Sequence, residues 1–136
     1  MLEGTKLAEY YFRGGYPQLS QEEVLNYCAD ALCRCHHAGV RVIRLGLHDT
    51  PSLREHLLAG YFHPAYGELA ESHLYLRQLK EAAADCGKPE LFVETAPRTM
   101  SKVLGQHGCN RKALAEQGVS LRVRENAAVA AGTILT

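Results

Sequence analysis

The apolar positions change period along the chain, and each period predicts an element. In "LSQEEVLNYCADALCRCHHAG", Val24, Cys28, Ala31, Leu32 and Cys35 recur at helical spacing. Ser20 and Glu23 make a capping box before that run, with Leu19 and Val24 as a hydrophobic staple. Gly39 suits the left-handed residue that ends the helix. "VRVIRLGL" follows, rich in branched aliphatics, and predicts a strand. "DTPSLREHLLAG" predicts a short helix with Asp49 or Thr50 as cap and Pro51 in the first turn. A long helix is expected from about Pro64, with Leu69, Leu76, Leu79 and Ala83 as its buried stripe and Gly87 and Pro89 at its end.

Beyond Gly87 the elements shorten. "ELFVET" reads as a strand and "PRTMSKVLG" as a short helix. "NRKALAEQG" reads as another, capped by Asn110 and stopped by Gly118. "VSLRVRE" alternates Leu121 and Val123 with Arg122 and Arg124, as a strand with one buried face does. A last strand fits after Gly132. The chain is therefore expected to be α+β, with no internal repeat.

Between the two short helices lies "VLGQHGCN", where Gly105 and Gly108 bracket Gln106 and His107. Strand, helix, G-x-x-G, helix, strand is the order of a KH-type unit, whose loop clamps nucleic-acid backbone. Lys102, Arg111 and Lys112 flank the loop and are candidate phosphate partners, with Gly105, Gln106, His107 and Gly108 as the loop itself. The competing reading is structural, with Gly105 ending one helix and Gly108 easing the turn into the next.

Composition narrows these options. Hydrophobic residues make up 46% of 136, enough for a core. The formal net charge is zero, unlike a strongly basic nucleic-acid binder. The balance is uneven, however: residues 1–87 carry 8 Lys/Arg against 11 Asp/Glu, and residues 88–136 carry 7 against 4, so the G-x-x-G lies in the basic part. No apolar run approaches the roughly 20 residues of a membrane span, and the first residues lack a signal-like apolar core. The five cysteines have no framework spacing, so reduced thiols and a cytoplasmic location are expected. "CRCHH" raises a metal reading, with Cys33 and His37 one helical turn apart. A second ligand pair would have to come from Cys86 or Cys109, which the spacing does not demand, and no metal site is expected.

Three stretches carry a family resemblance: "GTKLAEYYFRGGYPQLSQEE", "VIRLGLHDT" and "AGYFHPAYGELAES". The strongest positions are Gly60, His63-Pro64-Ala65, Glu68, Leu69 and Glu71. Together they resemble the C-terminal part of radical SAM proteins of the elongator-catalytic-subunit-like group. "SKVLGQHGCNRKAL" also resembles a helix-turn-helix near the end of such proteins. The resemblance implies a parent with S-adenosylmethionine and a [4Fe–4S] cluster on three cysteines spaced C-x-x-x-C-x-x-C. This sequence lacks that motif; Cys28, Cys33 and Cys35 are spaced C-x-x-x-x-C-x-C.

The chain is accordingly expected to be a fragment without catalytic residues or a cofactor of its own. Residues 1–62 would be a remnant α/β barrel-end unit, and residues 63–136 a long helix with a KH-like extension. The resemblance implies packing on the N-terminal radical SAM barrel and help in binding a tRNA-like RNA. The alternative is a purely structural domain that completes the barrel. His48 and Asp49, after the expected strand, and His63 are candidates for the barrel mouth. Capping and surface-loop roles compete for all three. Tyr10, Tyr11, Phe12 and Tyr16 cluster around "RGGYP"; if barrel strands are missing, such rings are left bare and promote self-association.

Overall fold

The computed structural model describes residues 1–136. The elements are α1 (Lys6–Phe12), α2 (Gln21–His37), α3 (Pro51–Glu55), α4 (Tyr66–Cys86), β1 (Glu90–Thr95), α5 (Met100–Leu104), a 3₁₀ turn (Gln106–Gly108), α6 (Cys109–Glu116), β2 (Ser120–Glu125) and β3 (Ile134–Leu135). The fold is α+β, as the periodicities imply.

Local chemistry explains the helix ends. At the start of α2 the Ser20 N–H donates to Glu23 Oε2 (2.7 Å) and the Glu23 N–H donates to Ser20 Oγ (3.2 Å). The Ser20 N–H and, at 2.8 Å, the Ser20 hydroxyl both donate to the Glu23 carboxyl and hold it below the usual range. At its other end Gly39 N–H donates to His36 O and Val40 N–H to Cys35 O, closing a Schellman turn. Thr50, not Asp49, caps α3, its hydroxyl accepting from Leu53 N at 3.1 Å.

α4 is the centre of the molecule. Ala70 and Leu74 lie on one face of it and pack with Ala29 and Leu32 of α2. Tyr75, Leu79 and Ala83 lie on the opposite face and pack with Leu91, Val93, Val103, Leu114 and Leu121. A turn of about 100° per residue separates the two sets. The expected single stripe was thus too narrow: Leu69 and Leu76 are half-buried, because the helix is covered on two sides.

The sheet order is β2-β1-β3. β1 runs parallel to β2, from Glu90 opposite Ser120 to Thr95 opposite Glu125, and antiparallel to β3. The parallel pair requires a crossover, which α5, the 3₁₀ turn and α6 supply. Leu91, Val93 and Leu121 face the core, while Arg122 and Arg124 face outward and pair with Glu90 and Glu94. Gly132 threads the tail between α2 and α4. Its N–H donates to the Tyr75 hydroxyl (3.0 Å) and its carbonyl accepts from Gln78 Nε2 (2.7 Å). A side chain there would collide with the His36 ring.

One expected element is absent. Residues 40–47, "VRVIRLGL", form no strand. Val42 and Leu45 pack against the α2–α4 cluster, but Val40, Ile43 and Leu47 are exposed, Ile43 to 91%. A strand needs a neighbour as well as β-branched residues. All three strands of the sheet have their core on the far face of α4, so none lies beside this segment.

Candidate functional site

α5 ends at Leu104, and the chain turns through Gly105 (φ 77°), His107 (φ 52°) and Gly108 (φ 71°) into α6. Left-handed conformations cost a non-glycine residue roughly 1–2 kcal/mol. The two glycines are required for different reasons. Gly105 is buried, and a Cβ on it would strike Cys109 Sγ and approach Asn110 N and Cγ to 3.0 Å. Gly108 opens onto free space, so only its φ restricts it. Gly105→Ala is expected to cost about 3 kcal/mol, strain plus overpacking, and Gly108→Ala about 1 kcal/mol, both read by urea unfolding. Equal effects would contradict this division.

Asn110 does not cap α6. It is the second residue of the helix, 2% exposed, and Gly108 occupies the cap position. Its Nδ2 donates to Ser72 O (2.9 Å), Ser72 Oγ (3.1 Å) and Val103 O (3.0 Å). It therefore ties α4 to both helices of the G-x-x-G unit. Its place directly before a helix-forming run resembles a cap signal, and nothing local marks Ser72, 38 residues away, as its partner.

The expected phosphate partners separate. Lys102 is ion-paired to Glu71 of α4, with both side chains about two-thirds buried, so much of its charge is already met. Arg111 and Lys112 are exposed on the first turns of α6 and form no ion pair. Gln106 and His107 are exposed at the tip of the turn. A cavity of about 240 Å³ lies between the turn and α4; its walls include Glu68, Ser101, Lys102, Gln106 and His107, and none is apolar. The cationic surface is thus on the α6 side, and the α4 side carries carboxylates.

The residues expected at a barrel mouth belong to other segments than the G-x-x-G turn. Arg54 grips Asp49 with two bonds, Nε to Oδ1 at 2.7 Å and Nη2 to Oδ2 at 2.6 Å, which hold the carboxyl below its ordinary range. His48 is exposed beside it. The Nδ1 of His63 accepts from Ala65 N at 3.1 Å at the start of α4, where no side chain of the cap residue itself bonds. The ring also lines a cavity with Gly46 and Leu47, just before His48.

On α1, α2 and the 40–47 segment, large apolar side chains are bare: Tyr10 (55%), Phe12 (71%), Tyr27 (65%) and Ile43 (91%). Leu7, Tyr11, Leu19, Val24 and Tyr61 line a further cavity of about 200 Å³. Single exposed residues are ordinary, whereas contiguous apolar patches mark surfaces that bind another body.

Residues 1–77 match the Radical_SAM C-terminal domain. The chain belongs to that family. Comparisons with curated proteins and with solved structures find no match. The matched region runs from α1 to the middle of α4, so it contains these bare apolar side chains, the 40–47 segment and His63. The G-x-x-G turn lies outside it.

A radical SAM enzyme holds a [4Fe–4S] cluster and S-adenosylmethionine, and the cysteines of this domain do not fit such a cluster. Cys28 faces the cavity beside Tyr66. Cys33 points at the His37 ring, Sγ to Nδ1 3.4 Å, and that Nδ1 already donates to Cys33 O at 2.8 Å. On a helix, Cys28 and Cys33 diverge by about 140°. No three His, Cys, Asp or Glu side chains are placed to hold a metal ion. No helix is long and apolar enough to cross a membrane.

Proposed function

We propose that this radical SAM C-terminal domain packs its bare apolar face on the catalytic barrel of an elongator-like radical SAM enzyme, with residues 40–47 added to the barrel as a strand. The observation that carries the reading is Ile43, 91% exposed in an unpaired, aliphatic segment whose Val42 and Leu45 pack on the α2–α4 cluster. An exposed strand edge is a template for pairing. Residues 1–62 then act as the barrel-end unit, His48, Asp49 and His63 sit near its mouth, and residues 63–136 extend from it, with α4 packed against both. The chemistry belongs to the barrel with its cluster and S-adenosylmethionine; this chain contributes shape and a binding surface. Mixing it with the separately produced barrel is expected to give a 1:1 complex by sedimentation velocity. Two species sedimenting independently would refute the reading.

A second element of the proposal is contact with a tRNA-like RNA through a KH-like unit. It is supported by the strand-helix-turn-helix-strand order and by the free cations Arg111 and Lys112 beside the exposed Gln106–His107 tip. RNA affinity is expected to fall with rising salt. The double variant Arg111→Ala/Lys112→Ala should flatten the slope of log K against log salt by about 1.5, roughly 0.7–0.9 for each phosphate no longer neutralised. An unchanged slope would leave the chain as a purely structural domain that completes the barrel.

A further inference from the structure

The G-x-x-G turn has two unlike sides. Arg111 and Lys112 are exposed and free of ion pairs on the α6 side. On the α4 side lies the cavity of about 240 Å³, and Glu68, Ser101, Gln106 and His107 on its walls are all exposed. Glu68 stands in the first turn of α4 and makes no ion pair. Its carboxylate is therefore free to meet a guest. A backbone that crosses the turn meets cations on one side and this carboxylate on the other.

The chemistry of the walls selects among the parts of a nucleic acid. No wall is apolar, so a base finds little to stack on beyond the His107 ring. A phosphate is opposed. Lys102, the one Lys or Arg on the walls, is ion-paired with Glu71, while Glu68 carries a negative charge that no cation meets. An ionised carboxylate only accepts hydrogen bonds, so its partner must donate. The phosphodiester and ring oxygens of a nucleic-acid backbone carry no proton. The ribose 2′-hydroxyl does, and it is the group by which a protein tells RNA from DNA.

Resting on the RNA contact proposed above, we propose that Glu68 accepts a hydrogen bond from a ribose 2′-hydroxyl seated in this cavity, and so makes the G-x-x-G turn select RNA over DNA. Arg111 and Lys112 hold phosphates whatever the sugar, which positions the strand without reading it. Glu68 supplies the discrimination. Ser101 and Gln106 line the same cavity with groups that both donate and accept, which suits the remaining sugar oxygens. A carboxylate in the first turn of a helix is favourable by itself, so the test reads the sugar rather than stability.

The test is fluorescence anisotropy of the full chain at low salt with three labelled single strands of one mixed sequence. One is RNA, one is DNA with uracil in place of thymine, and one is RNA with 2′-fluoro ribose. Fluorine keeps the sugar pucker of RNA and removes the proton. The parent chain should bind the RNA about tenfold more tightly than either other strand, the worth of one charge-assisted hydrogen bond. Glu68→Ala should bring the three strands within about twofold of one another without weakening the DNA, because a charge that repels phosphate has gone. Equal binding of the three strands by the parent chain would overturn the ribose assignment and leave the backbone contact standing. A preference for RNA that survives Glu68→Ala would do the same. A Glu68→Ala chain that loses all three strands alike would also overturn it. Failure of the parent chain to bind any strand would refute the backbone contact itself, and the ribose assignment with it.

Discussion

Asn110→Ala is expected to lower the free energy of unfolding by about 2–4 kcal/mol, read from the urea midpoint at constant slope. The Asn110 amide is nearly fully buried and donates to acceptors on α4 and α5. Truncation leaves Ser72 O and Val103 O without that donor and opens a void between three helices. Asn110→Asp should be at least as damaging, because a carboxylate would face those same carbonyl oxygens. Arg111→Ala, one residue along but exposed, should stay within about 0.5 kcal/mol of the parent chain. If Asn110→Ala is equally mild, Asn110 is a surface cap after all, and the tie between α4 and the G-x-x-G helices does not exist.

Ile43→Glu should have the opposite profile. The side chain is 91% exposed, so the isolated chain loses almost no packing, and its unfolding midpoint should hardly move. In the complex with the barrel the same side chain is expected to be covered. Burying an isoleucine contributes about 1.5–3 kcal/mol, and a buried carboxylate adds a desolvation penalty. Association with the barrel should therefore weaken by at least about tenfold to a hundredfold, measured by titration of labelled barrel with each variant. Val42→Glu is the internal contrast: its side chain packs on the α2–α4 cluster, so it should lose stability in the free chain. Unchanged association for Ile43→Glu would place the barrel contact on some other surface.

Much of this architecture was legible in one dimension, because it depends on signals within a few residues. The Ser20–Glu23 capping box, the glycine that ends α4 and the alternation in β2 each encode a local geometry, and each forms as read. Where the reading failed, a partner distant in sequence decided the outcome. Branched aliphatics at 40–47 predict a strand, yet pairing depends on a neighbour that composition cannot announce. Asn110 lies just after a G-x-x-G turn and precedes a helical run, which resembles a cap; burial against Ser72 makes it a core residue instead. Lys102 reads as a free cation until the fold brings Glu71 beside it. The stripe on α4 looked single because the sheet and α2 take opposite faces of one helix. The Tyr66 cavity had no sequence signal at all, since its walls come from three separate segments.

Hydrogen exchange at residues 40–47 tests the account most directly, in the free chain and again with saturating barrel. The free chain should exchange these amides rapidly, Val40 excepted, since its N–H is held in the turn after α2. Addition of the barrel should slow them, while the amides of β1 and β2 stay as they were. A segment that exchanges at the same fast rate in both states would contradict the assignment of these residues as a strand awaiting its neighbour.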